Sequence, residues 1–136
     1  MLKRLTRKLF ILFALGAYLT LGMPSTPAQG SGYSLSGSVD YSGSAVSGPV
    51  SIYKWNGSSW VYHGSASASC LGLFYYDTGG PGLFMGQVDG GHAIYNYLTC
   101  SFLEVANIYG SSSAELSAGH PSAYMYIYVW SDPEAW

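Results

Sequence analysis

The sequence predicts an all-β protein: a single antiparallel β-sandwich of about seven strands after a cleaved signal peptide. Three observations predict it. Side chains alternate at period two through much of the chain, as when Tyr33, Leu35, Gly37, Val39 and Tyr41 share one face and Ser34, Ser36, Ser38 and Asp40 the other. Clusters of Gly, Pro, Asn and Asp punctuate these segments. No apolar stripe recurs at the three-to-four spacing of a helix.

The first element is an export signal. Four of the five cations, Lys3, Arg4, Arg7 and Lys8, lie in the first eight residues. A 15-residue apolar run follows, Leu9 to Met23, and then Pro24-Ser25-Thr26-Pro27-Ala28. A basic start, a short apolar stretch and a small-residue exit make a secretory signal peptide over 1–28. The run is short for a membrane span, which needs roughly 20 apolar residues. The membrane is therefore expected to be met only transiently, during export, and the mature domain to run over 29–136. The expected location is secreted, either extracellular or in the cell envelope.

The remaining elements follow in order. Residues 33–41 alternate as a strand, and a loop is expected over 42–48. Pro49 suits a strand start or edge. Val50–Trp55 and Ser59–His63 flank Asn56-Gly57-Ser58, a hairpin signal because Asn and Gly both tolerate positive φ. The same triplet matches a glycosylation sequon. Cys70–Asp77 reads as a buried strand, Thr78–Gly82 as a turn and Leu83–Val88 as a strand. Asp89-Gly90-Gly91 reads as a second tight turn. One strand is expected over 92–105, a loop with one helical turn near 114–118 over 107–121, and a last strand over 122–130. About seven strands in roughly 100 residues fit a sandwich or small barrel.

The order of Gly37-Ser38-Val39, then Gly48-Pro49-Val50-Ser51-Ile52-Tyr53, then Pro81-Gly82-Leu83-Phe84 resembles the transthyretin-like, carboxypeptidase regulatory-like β-sandwich modules of secreted bacterial proteins. The resemblance covers roughly residues 33–90. Where that pattern usually has an Asp-x-x-Gly turn before its aromatic strand, this chain has Ser69-Cys70-Leu71-Gly72. The resemblance implies a mostly non-catalytic module.

Charge narrows the function classes. After residue 28 the chain has one cation, Lys54, against seven acids, a net charge of −6. A nucleic-acid binder needs basic clusters to neutralise phosphates, so no nucleic-acid partner is expected. Cys70 and Cys100 are the only cysteines. In an exported chain they are expected to form one disulfide, both from strands; two isolated cysteines lack the spacing of a metal site.

Catalytic motifs are missing from the sequence. His63, His92 and His120 have no ligand spacing, and Asp89 sits among glycines where Asp is favoured structurally. The seven acids suggest no particular pair for glycoside hydrolysis. There is no G-x-S-x-G elbow, and Thr78–Gly82 lacks the Lys-Ser/Thr of a phosphate loop. No enzyme activity, cofactor or metal is therefore expected.

The aromatic pattern carries the functional expectation. Tyr124, Tyr126, Tyr128 and Trp130 alternate with Ala123, Met125, Ile127 and Val129. One face of this strand is aromatic with polar tips, and the other suits a core. Trp55 and Tyr53 share one side of their strand, with Trp60 and Tyr62 together across the expected hairpin. Tyr124, Tyr126, Tyr128, Trp130, Trp55 and Trp60 are the candidate binding residues. Two functions are expected from them: a secreted, non-catalytic β-sandwich acting by surface contact (structural, adhesive or inhibitory), or a stand-alone carbohydrate-binding module. The partner is a protein or polysaccharide surface. Cross-strand aromatic pairing that only stabilises the sheet, at roughly 0.2–1 kcal/mol per pair, is the competing explanation.

Overall fold

A computed structural model describes residues 31–131. The signal peptide expected over 1–28 lies outside the described residues, as do residues 29–30 and 132–136. The described part is all-β, with nine strands. They are β1 (Ser34–Tyr41), β2 (Ser44–Val46), β3 (Gly48–Trp55), β4 (Trp60–Ala68), β5 (Leu73–Asp77), β6 (Gly82–Asn96), β7 (Ser101–Leu116), β8 (Ser122–Tyr128) and β9 (Trp130–Ser131).

All nine belong to one hydrogen-bonded sheet that curls on itself. β3 pairs β4 and the first half of β6; β2 joins the second half of β6 to β1. β7 runs along the whole of β6 and meets β9. β8 lies parallel to β1, the one parallel pair in an otherwise antiparallel sheet. The Val129 amide donates to the Asp40 carbonyl, so β8 stays on β1 until the chain crosses to β7. The pairings thus make a circuit through β1, β2, β6, β7 and the β8–β9 run.

Period-two alternation sets the core. Leu35 and Val39 of β1, Val50 and Ile52 of β3, Phe84 and Val88 of β6, Ile108 of β7, and Met125 and Ile127 of β8 are all buried inside the curl. Glycines allow the close approaches. A Cβ on Gly86 would stand 3.1 Å from Ile127 Cδ1 and 3.2 Å from Met125 Sδ. Phe74 of β5 lies over Gly37 in the same way.

Several readings of the sequence need correction. Asp89-Gly90-Gly91 is not a turn. It lies inside β6, paired in unbroken register with Asn107–Tyr109 of β7. Gly90 has φ +96°, and it marks where β6 passes from β3 to β2. Glycine there serves a bend of the sheet rather than a chain reversal. Residues 107–116, expected as loop and helical turn, are strand, because Ser111–Ser113 pair with Met85–Gln87 whatever their composition suggests. The expected 92–105 strand is instead the end of β6, a turn over 97–100 and the start of β7. Residues 42–48 contain the short strand β2.

The disulfide forms between Cys70 and Cys100, whose Cα atoms are 5.3 Å apart. Both cysteines are in turns rather than in the expected strands: Cys70 between β4 and β5, Cys100 between β6 and β7. The cross-link is consistent with an extracellular location. Cys100 has φ +59°, and its amide donates to the Asn96 carbonyl at 2.7 Å. The Asn96 side chain accepts from the amides of Leu98 and Thr99, closing the turn. The Asn56-Gly57-Ser58 hairpin is present as read. Asn56 Oδ1 accepts from the amides of Ser58 and Ser59, each at 2.9 Å.

The seam between β4 and β5 has no ladder, and Tyr76 fills it. Its hydroxyl meets His63 Nδ1 at 2.7 Å, and a Cβ on Gly64 would collide with it. Burial, then the neighbouring Tyr62 and Asp77, push the Tyr76 hydroxyl above the ordinary value of 10.0. The folded state therefore favours the neutral phenol. That contribution is complete below pH 10 and is lost as pH rises through the higher folded value. Urea midpoints measured against pH should fall above pH 10, and Tyr76→Phe should flatten the fall. Identical alkaline profiles for the two proteins would remove Tyr76 from the account.

Candidate functional site

The site builds up from the outward positions of β8, β1 and β5. On β8 the odd positions Met125 and Ile127 are buried, so the even positions must point out. Tyr124, Tyr126 and Tyr128 are 48%, 59% and 62% exposed. Tyr124 and Tyr126 have ring centroids 4.8 Å apart at 60°, while Tyr126 and Tyr128 are 6.4 Å apart and nearly parallel at 13°. The three rings form one continuous row.

Register places the neighbours of that row. Ser36 stands beside Tyr124, Ser38 beside Tyr126 and Asp40 beside Tyr128. On the far side of β1, Tyr75 of β5 stands opposite Ser36, and Leu73 opposite Ser38. Leu73 and Tyr75 are exposed as well. Adjacent strands lie about 4.8 Å apart, so the two bulky rows are separated by about 10 Å with short serines between them. The outer face is a shallow trough with a hydroxyl floor. Among the described residues, the hydroxyls of Ser36, Ser38, Tyr75, Tyr124, Tyr126 and Tyr128 bond to no other side chain, unlike those of Tyr41 and Tyr76. Sequence reasoning found the tyrosine row but missed Leu73 and Tyr75, because Cys70–Asp77 reads as a buried strand. In the structure β5 is only Leu73–Asp77 and alternates, with Phe74 buried and Leu73, Tyr75 and Asp77 exposed. Nothing in the sequence says that β5 and β8 flank β1.

Asp77 ends the β5 row, opposite Ser34. The Ser31 hydroxyl at 2.7 Å and the amides of Gly79 and Ser31 hold its carboxyl below the usual carboxylate range. It and Asp40 place a carboxylate near each end of the serine row.

The other expected binding residues do not join this row. Trp130 is exposed on β9 and packs edge-on against Tyr109 of β7 at 5.7 Å. Trp55 and Trp60 meet edge-on at 5.3 Å near the tip of the β3–β4 hairpin, beside the Tyr53–Tyr62 pair at 5.8 Å. A shallow depression of about 460 Å³ there is lined by Lys54, Trp55, Asn56, Val61, Tyr62 and His63. A third exposed group, not singled out in the sequence, surrounds the β6–β7 turn: Tyr97, Leu98, Phe102, Leu103 and Val105.

The histidines are apart from one another. His63 is exposed on β4, and His120 lies in the turn before β8, its amide bonded to the Ser117 carbonyl. His92 is buried, with Nε2 3.1 Å from the Pro49 carbonyl, while Asp89 points out on the opposite face of β6. Asp89 and His92, three positions apart in the chain, therefore make no pair. No family model, curated protein or solved structure matches this chain.

Proposed function

We propose that this protein is an exported, non-catalytic β-domain that acts by surface contact, and that the tyrosine row of β8 is its contact surface. One observation carries the reading: three adjacent tyrosines, each about half exposed or more, stand over a fully buried aliphatic row. Exposed aromatics are also the side chains that tend to dominate protein contacts. The export signal over 1–28 and the resemblance to transthyretin-like sandwich modules belong to the same reading. The second reading is a stand-alone carbohydrate-binding module, favoured by the hydroxyl floor between two bulky rows.

The test is a double variant, Tyr126→Ser with Tyr128→Ser. Its melting temperature should stay within about 4–8 °C of the parent, the shift expected for a loss near 1 kcal/mol in a domain of this size. Labelled protein should bind the surface or matrix of the producing cells, and the double variant should bind at least tenfold more weakly. Equal binding by the two proteins would defeat the reading. So would a variant that fails to fold, because the row would then be structural.

A further inference from the structure

The geometry points to a specific ligand class for this face: a single chain of a neutral polysaccharide, lying along the trough between the tyrosine row of β8 and Tyr75 of β5. The inference rests on the contact-surface reading above. A sugar ring has an apolar face of C–H groups and a rim of hydroxyls. The trough offers the complement, with aromatic and aliphatic walls for the ring faces and the Ser36 and Ser38 hydroxyls as floor. Those serines and the tyrosines have free donor and acceptor capacity, and a glycan hydroxyl can use both. From Tyr124 to Tyr128 the trough runs along the strand for about 13 Å, which suits a length of chain better than one ring.

Charge decides which glycan. Asp40 and Asp77 lie near the two ends of the floor, and the one cation after residue 28, Lys54, is on β3. An acidic polymer would bring its carboxylates or sulfates up to these aspartates, with no cation on the face to offset them. A neutral chain meets no such repulsion, and the aspartates can accept its hydroxyls.

The experiment is affinity electrophoresis of the purified protein through gels containing xyloglucan, glucomannan or mixed-linkage β-glucan, against polygalacturonate and alginate. At least one neutral polymer should retard the protein, and the acidic polymers should do so at least tenfold more weakly. Tyr75→Ala and Ser38→Val should each weaken retardation at least fivefold, whereas Phe102→Ala, on the exposed group around the β6–β7 turn, should change it less than twofold. Asp40→Asn should narrow the gap between neutral and acidic polymers. Preference for an acidic polymer, or unaltered retardation of both Tyr75→Ala and Ser38→Val, overturns the inference. A panel with no retardation is resolved on the producing cells. If periodate oxidation of their glycans leaves binding intact while the Tyr126/Tyr128 variant has lost it, the contact surface stands and the glycan falls. If that variant binds as well as the parent, the contact-surface reading itself has failed.

Discussion

Replacing Cys70 and Cys100 together by serine should lower the melting temperature by roughly 12–30 °C. The bond joins positions 30 residues apart. In the chain-entropy account, a loop of that length stabilises the fold by about 3–4 kcal/mol. For a domain of this size each kcal/mol shifts melting by about 4–8 °C. The structure adds a reason to expect the full effect. The bond links two turns and lies outside the buried cluster of Phe84, Ile52, Ile108 and Ile127, so its removal leaves that cluster intact. The loss should therefore come from the loosened unfolded chain, and the variant should still fold cooperatively at room temperature. Scanning calorimetry of parent and double variant measures it. A fall of less than about 5 °C would mean that the two turns hold each other without the bond, and the loop-closure explanation would fail.

Gly37→Val should cost at least about 3 kcal/mol, although valine is the better strand former. Gly37 lies on β1 between β5 and β8, opposite Phe74 and beside Met125. A Cβ there would stand 2.5 Å from the Met125 carbonyl oxygen and 2.5 Å from Phe74 Cζ. Neither neighbour can yield cheaply. The Met125 carbonyl belongs to the strand paired with β1, and Phe74 is buried with its ring among the core side chains. Either β8 separates from β1 or Phe74 leaves the core, and losing a buried Phe costs about 3–5 kcal/mol. Ser38→Val, one position along and pointing outward, should shift stability by only about 0.5 kcal/mol. Denaturant midpoints of the two variants make the comparison direct. A Gly37→Val protein as stable as Ser38→Val would show that the sheet is looser around β1 than the structure has it.

The contrast between those neighbours shows what a sequence conveys. The alternation over 33–41 was readable, because side chains on a strand must alternate and the apolar set then selects the inner face. The same logic placed Met125 and Ile127 inside and the tyrosines outside, as the structure has them. The Asn56-Gly57 hairpin was readable because its chemistry is local. Local chemistry also misled. Asp89-Gly90-Gly91 has the composition of a turn, yet its pairing with Asn107–Tyr109 holds it in a bent strand. Ser111–Ser113 read as loop, although a backbone amide pairs equally well under serine.

The sequence by itself determined the all-β class, the inner and outer faces of β1 and β8, the pairing of the two cysteines and the tyrosine part of the aromatic row, since each follows from period, count or residue type. Only the tertiary structure decided which strands are neighbours: β8 parallel beside β1, β5 on its other side, β6 bent between β3 and β2. Those pairings join residues far apart in the chain, and they arise from burying one shared core rather than from any local preference. Tyr75, Ser38 and Tyr126 form one surface for that reason alone.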